Sequence, residues 1–233
     1  MQSNSDLSGI KTVLLCGGKG TRIQELSEVM PKPMTPIGGK PILWHIMNIY
    51  AFHGLTEFIL CLGYKGWMIK DFFLNYRMMI SDCSITLGNH TDLEFHDEFP
   101  ESFWKITLSD TGEHAMTGAR LWRVRRYLEG CEHFCLTYGD GVGDVDITKL
   151  VELHCASKTE ATITAVQPPG RFGDLVIDGD ETDWQREPLS ALADKGQFTA
   201  YRHAGFWQPM DTLGDKKQLQ ELRDSGSESG RIG

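Results

Sequence analysis

The chain has 233 residues, 40% apolar and 24% charged, a globular balance that excludes a disordered, collagenous or coiled-coil protein. No apolar run reaches the ~18 residues that a membrane-spanning helix needs, so a spanning protein is excluded, and no membrane partner is expected. Twenty-three basic against 32 acidic residues leave a net charge of −9, which argues against nucleic acid while leaving room for a small phosphate ligand in a local nest.

The expected organisation is a single domain over residues 10–224. A polar N-terminal extension at 1–9 precedes it and a Ser- and Gly-rich tail at 225–233 follows. Lys11 to Cys16 reads as a buried strand that stops at Gly17-Gly18-Lys19-Gly20. Pro41 to Phe52 reads as a helix with proline at its first turn and Gly54 beyond its end. Glu57 to Leu62 is the next strand, Gly63-Tyr64-Lys65-Gly66 a turn, and Trp67 to Tyr76 a helix. This alternation predicts an α/β fold, a mostly parallel sheet flanked by helices.

Three short strand patterns follow, at Ser84–Leu87, Leu93–His96 and Lys105–Leu108, read as an inserted or edge β-region. Leu121 to Leu128 reads as a helix, and Cys131 to Tyr138 as a strand ending at Gly139-Asp140-Gly141. Ile147 to Ser157 is a helix and Glu160 to Val166 a strand.

Six cysteines show no Cys-x-x-Cys pair and no zinc spacing, so reduced core thiols and a cytoplasmic protein are expected. His45 reads as structural, and His96 and His114 as surface residues. Trp67, Phe72, Phe73 and Tyr76 have the spacing of a packed helix face, and Arg123, Arg125 and Arg126 that of a solvated one.

The chemistry concentrates after the first strand. Three glycines in Gly17-Gly18-Lys19-Gly20 let the backbone turn its amides onto an anion, with the Thr21 hydroxyl and the Arg22 fork beside them. The spacing fits neither the P-loop nor the dinucleotide fingerprint. Pro31-Lys32-Pro33-Met34 follows, one lysine between two stiff residues.

These two blocks together resemble the signature of the sugar-nucleotide pyrophosphorylases, which are nucleotidyltransferases with a Rossmann-like fold. Further blocks resemble the branch that joins CTP to α-D-glucose 1-phosphate, giving CDP-glucose and pyrophosphate. They include Ile37-Gly-Gly-Lys-Pro-Ile-Leu-Trp-His-Ile-Met, Met116-Thr-Gly-Ala-Arg-Leu, Thr137-Tyr-Gly-Asp-Gly-Val and Gly205-Phe-Trp-Gln-Pro-Met-Asp-Thr.

The resemblance implies roles. Leu15, Cys16, Gly17, Gly18, Gly20 and Thr21 wrap the nucleotide, with Gly112, Thr117, Arg120, Gly139 and Asp140 also on its side. Arg22 and Lys32 are the catalytic cations, Arg22 on the leaving pyrophosphate and Lys32 on the reacting phosphates. Asp140 and Asp211 hold Mg²⁺. Homo-oligomers and a role in surface-polysaccharide synthesis are implied on the same ground.

Departures stand beside the match. Met30 replaces a lysine and Ala119 a glycine, and a family segment is missing near 178–183, including a Glu-Lys-Pro motif that helps hold the sugar phosphate. Two alternatives therefore stay open. One is a non-catalytic nucleotide-binding or regulatory homologue; the other is a related enzyme using UTP or dTTP.

Overall fold

The computed structural model describes residues 7, 9–20, 28–88, 92–166 and 187–225. Thr21, Arg22, the 168–173 block, the 178–183 junction and the C-terminal tail beyond Ser225 lie outside these residues.

In chain order the strands and helices begin with β1 (Lys11–Leu15), β2 (Pro36–Ile37), β3 (Lys40–Pro41), α1 (Ile42–Phe52), β4 (Glu57–Leu62), α2 (Gly66–Leu74) and α3 (Tyr76–Ile80). Next come β5 (Cys83–Thr86), β6 (Asp92–Phe95), β7 (Lys105–Asp110), α4 (Thr117–Val124), β8 (Phe134–Tyr138) and β9 (Gly141–Gly143). The last are α5 (Ile147–Ser157), β10 (Ala161–Val166), α6 (Glu187–Asp194), β11 (Phe198–His203), β12 (Trp207–Pro209) and α7 (Leu213–Asp224).

Four strands form a parallel sheet in the order β7-β4-β1-β8. Because strand side chains alternate, β1 and β4 supply both faces. Leu14, Cys16, Phe58, Leu60 and Leu62 meet Ile42, Leu43, Ile46 and Met47 of α1 and Ile69 of α2 on one face. Val13, Leu15, Ile59 and Cys61 meet Val124 of α4 on the other. The continuous apolar runs of these strands follow from this double coverage. Among the described residues no helix is long and apolar enough to cross a membrane.

Beside the sheet, β10 and β11 form a separate parallel pair, β9 and β12 an antiparallel pair, and β5 and β6 a hairpin. Among the described residues β8 pairs only with β1, and none of its five residues is fully buried.

Several sequence expectations are corrected. Lys105 to Leu108 is no part of the inserted hairpin. It belongs to β7, which joins β4 because Ile106 and Leu108 pack on the core. The helix expected over Trp67–Tyr76 is two helices, α2 and α3, broken at Asn75. There the amide side chain donates to the Asp71 carbonyl and carboxylate, a local bond that competes with helix.

Trp67 does not share the packed face of Phe72, Phe73 and Tyr76 and is 65% exposed. The helix expected from Leu121 begins at Thr117, since the buried Arg120 side chain fixes that turn despite its poor helix formers. It ends at Val124, followed by a 3-10 turn at Arg125–Tyr127. The strand expected from Cys131 begins at Phe134, because Cys131 closes a turn onto the Leu128 carbonyl. Within the expected loose extension, Leu7 is buried in the core.

Candidate active site

Parallel strands aim their carboxyl ends at one edge of the sheet, where ligands of open α/β folds bind. A cleft of about 350 Å³ lies there. Leu15, Cys16, Gly17, Gly18 and Gly20 line it from the end of β1. Lys32 comes from the 3-10 turn at Lys32–Met34, and Thr117 and Arg120 from the first turn of α4. Gly139 and Asp140 follow β8, and Asp211 follows β12. Every described candidate except Gly112 therefore lines this cleft. Gly112 stands behind it, its carbonyl bonded to Arg120 at 2.8 Å.

Lys32 joins the two carboxylates. Its Nζ donates to Asp140 Oδ2 and to Asp211 Oδ1, both at 2.6 Å. The lysine side chain is 11% exposed, and those of Asp140 and Asp211 are 29% and 15% exposed. Backbone pairing brings the carboxylates together. Gly139 N–H donates to the Leu15 carbonyl, β9 pairs with β12, and Met210 N–H donates to the Asp140 carbonyl at 2.8 Å. A Cβ on Gly139 would lie 3.0 Å from Cys16 Sγ and 3.2 Å from Pro33, so glycine lets the chain pass close to these two residues just before Asp140.

Asp215 holds the Asp211 corner. Its carboxylate accepts from Asp211 N at 2.9 Å, Thr212 N at 2.8 Å, Thr212 Oγ1 at 2.9 Å and Gln208 Nε2 at 3.0 Å. The Thr212 hydroxyl in turn accepts from Asp215 N, completing a capping box on α7. Sequence reasoning passed over Asp215. The Thr212-x-x-Asp215 spacing carries the signal, as a helix start directly after a candidate ligand. Pro33, Ala115, Met116 and Tyr138 also line the cleft and were not singled out as site residues.

Arg120 is buried, and its guanidinium turns onto the protein. It donates to the carbonyls of Gly17, Leu62, Gly112 and Glu113 and to the Thr111 hydroxyl. Those bonds tie the ends of β1, β4 and β7 to α4. A Cβ on Gly17 would stand 1.9 Å from Arg120 Nη1, so this glycine is needed for close approach. Arg123, Arg125 and Arg126 are all exposed, as expected of a solvated face, while Arg123 also reaches the Thr111 carbonyl and Arg125 the Trp122 carbonyl.

Burial raises the pKa of the Cys16 thiol, with Cys61 and Asp140 adding to the effect, so Cys16 stays protonated and contributes no thiolate. His45 is buried on the Ile37 carbonyl at 2.9 Å, a structural role. The surface positions expected of His96 and His114 are found. A second cavity, of about 190 Å³, lies at the opposite ends of the strands. Its cations are already engaged: Lys11 with the Tyr127 carbonyl, Lys105 with Glu57 and Arg126 with the Tyr127 hydroxyl.

Among the described residues no three His, Cys, Asp or Glu side chains gather as a ready metal site. The donors do suit a hard divalent ion. Two carboxylate oxygens converge on one cationic point, beside a cleft whose phosphate ligand would add more oxygens.

Fold and cleft together define an α/β protein with paired carboxylates beside a glycine-lined cleft at the carboxyl ends of its parallel strands. The sequence model described as nucleotidyl transferase matches residues 11–185, and the chain belongs to that family. It is 44% identical to the glucose-1-phosphate cytidylyltransferase of Salmonella typhimurium over 251 positions, 93% of this chain and 97% of the relative. The alignment has more positions than the 233 residues of this chain, so the relative carries residues with no counterpart here. The chain is 41% identical to D-glycero-alpha-D-manno-heptose 1-phosphate guanylyltransferase of Campylobacter jejuni over 77% of its length and 72% of that protein. The crystal structure of HddC from Yersinia pseudotuberculosis complexed with GMP-PN superposes with a TM-score of 0.65 at 20% identity. That match covers 91% of this chain and 98% of HddC, a likeness of fold.

Proposed function

We propose that the chain is a glucose-1-phosphate cytidylyltransferase, joining CTP and α-D-glucose 1-phosphate into CDP-glucose and pyrophosphate. The observation that carries the reading is the meeting of Lys32, Asp140 and Asp211 at one glycine-walled cleft. The 44% identity to the Salmonella enzyme supports the choice of substrates. The reading extends to a cytoplasmic homo-oligomer.

The sugar phosphate oxygen attacks the α-phosphorus of CTP, and the bond from that phosphorus to the bridging oxygen breaks as pyrophosphate leaves in line. The protein's task is to align two anions and offset their charge. Gly17, Gly18 and Gly20 and the N-terminus of α4 at Thr117 line the cleft, where their N–H groups would meet the phosphates. Lys32 offsets charge on the reacting phosphates, and Arg22 that on the leaving pyrophosphate. Asp140 and Asp211 would hold Mg²⁺, which supplies further neutralisation when bound. Arg120 acts through the backbone it clamps, holding the loop at Gly17 in position.

A second reading, a nucleotide-binding homologue without turnover, is favoured by the positions missing relative to the Salmonella enzyme and by the half-exposed β8. The guanylyltransferase relative motivates GTP as a control base. The deciding experiment is pyrophosphate release from the 233-residue chain with CTP, glucose 1-phosphate and Mg²⁺. UTP, dTTP, GTP and omission of sugar serve as controls. Sugar-dependent release with CTP supports the enzyme; CTP binding without release supports the second reading. In an active chain Lys32→Ala should lower kcat by about 10²–10³, the scale of losing one transition-state cation or donor.

A further inference from the structure

We infer that Lys32 is the built-in counter-ion of the metal position. Its ammonium and a divalent cation compete for the same two carboxylate oxygens, and nucleotide phosphates draw the ammonium away as the metal enters. The inference rests on reading Asp140 and Asp211 as the metal ligands.

The geometry is specific. One nitrogen lies 2.6 Å from Asp140 Oδ2 and 2.6 Å from Asp211 Oδ1, so both oxygens point at one position. All three side chains are largely shielded from water, and a cation between two shielded carboxylates this close offsets their repulsion. A magnesium ion binds oxygen at roughly 2.1 Å. At that position it would meet the same two oxygens after they draw in by about half an ångström. Two cations cannot share the position, so one must leave.

Lys32 is suited to leave. Pro31 and Pro33 stiffen its backbone, so movement of the ammonium falls to rotation of its four-carbon stem. Gly17, Gly18 and Gly20 line the same cleft, so phosphates bound there present the ammonium with a second anion. The exchange makes metal and nucleotide binding cooperative. A metal alone must expel an ammonium that has nowhere equally good to go; with nucleotide present, the ammonium moves onto phosphate.

Direct Mn²⁺ binding, measured by electron paramagnetic resonance on the full chain, tests this. Without nucleotide, Lys32→Met should bind Mn²⁺ at least about tenfold more tightly than wild type, because the competing cation is gone. Adding Asp140→Asn to Lys32→Met should remove the gain. Equal or weaker nucleotide-free binding by Lys32→Met overturns the inference.

The Asp140→Asn single variant separates the two readings. If it weakens Mn²⁺ binding in the presence of CTP while Lys32→Met brings no gain, only the counter-ion role fails. If it leaves Mn²⁺ binding with CTP unchanged, the metal assignment fails and the inference with it. A check on the wild-type chain needs no variant. Saturating Mn²⁺ without nucleotide should raise the acetylation rate of Lys32 severalfold, and an unchanged rate overturns the exchange.

Discussion

Gly17 and Arg120 show how one residue pair shapes the cleft. The arginine fills the space a side chain at position 17 would take, and it bonds the carbonyl of the same glycine at 3.0 Å. Gly17→Ala should therefore cost about 1–3 kcal/mol through overpacking, read as a fall in Tm. Gly18→Ala is the stability control, since a Cβ there meets nothing within 4 Å. Equal melting of the two variants would refute the clamp. The sequence places Arg120 in a family block, but nothing local says that its guanidinium turns onto carbonyls. That direction follows from β1, β4 and β7 ending together around it.

At the scale of elements, α7 and α5 each join a helix start or face to something beyond it. The α7 capping box positions Asp211, because the Asp215 carboxylate accepts from the Asp211 backbone. Asp215→Ala should cost about 1–3 kcal/mol, since four donors lose their acceptor, and should raise the metal concentration needed for activity. Thermal melts and metal titration check it, and an unchanged metal requirement would separate the cap from the site. On α5, His154 contacts Thr162 Oγ1 of β10 at 3.0 Å and His133 before β8 at 3.2 Å.

The first of those contacts joins α5 to β10 and the second joins it to the main sheet. Burial, and then the neighbouring His133, lower the His154 pKa, and burial lowers that of His53. A lowered histidine pKa favours the neutral form in the folded state. The stability it contributes is full above the unfolded value of about 6.5 and is lost as pH falls below it. Melts from pH 7.5 to 5 should show Tm falling, with a smaller fall in His154→Gln. The same fall in both would exclude His154.

Across the whole molecule, protection should follow the sheet. β1 and β4 have partners on both sides and helices over both faces, whereas among the described residues β8 pairs only with β1 and β10 only with β11. Hydrogen exchange should be slowest at Val13–Leu15 and Ile59–Cys61 and faster by an order of magnitude or more in β10 and β11. Uniform protection would mean that the two sheets open as one unit.

Sequence alone determined much of this protein. Apolar runs, glycine stops and alternation gave the strands and helices around β1, α1 and β4. The glycine loop, Lys32 and the two aspartates were legible as candidates because each sits in a short block of distinctive residues. Tertiary structure decided which candidates meet. Lys32 reaches Asp140 across 108 positions and Asp211 across 179, through the β1–β8 and β9–β12 pairings. It also moved β7 into the main sheet and split the α2–α3 helix. The physical reason is the range of the forces involved. Local sequence encodes backbone preference and burial pattern, while the placing of one ammonium between two carboxylates depends on strand register and packing far along the chain.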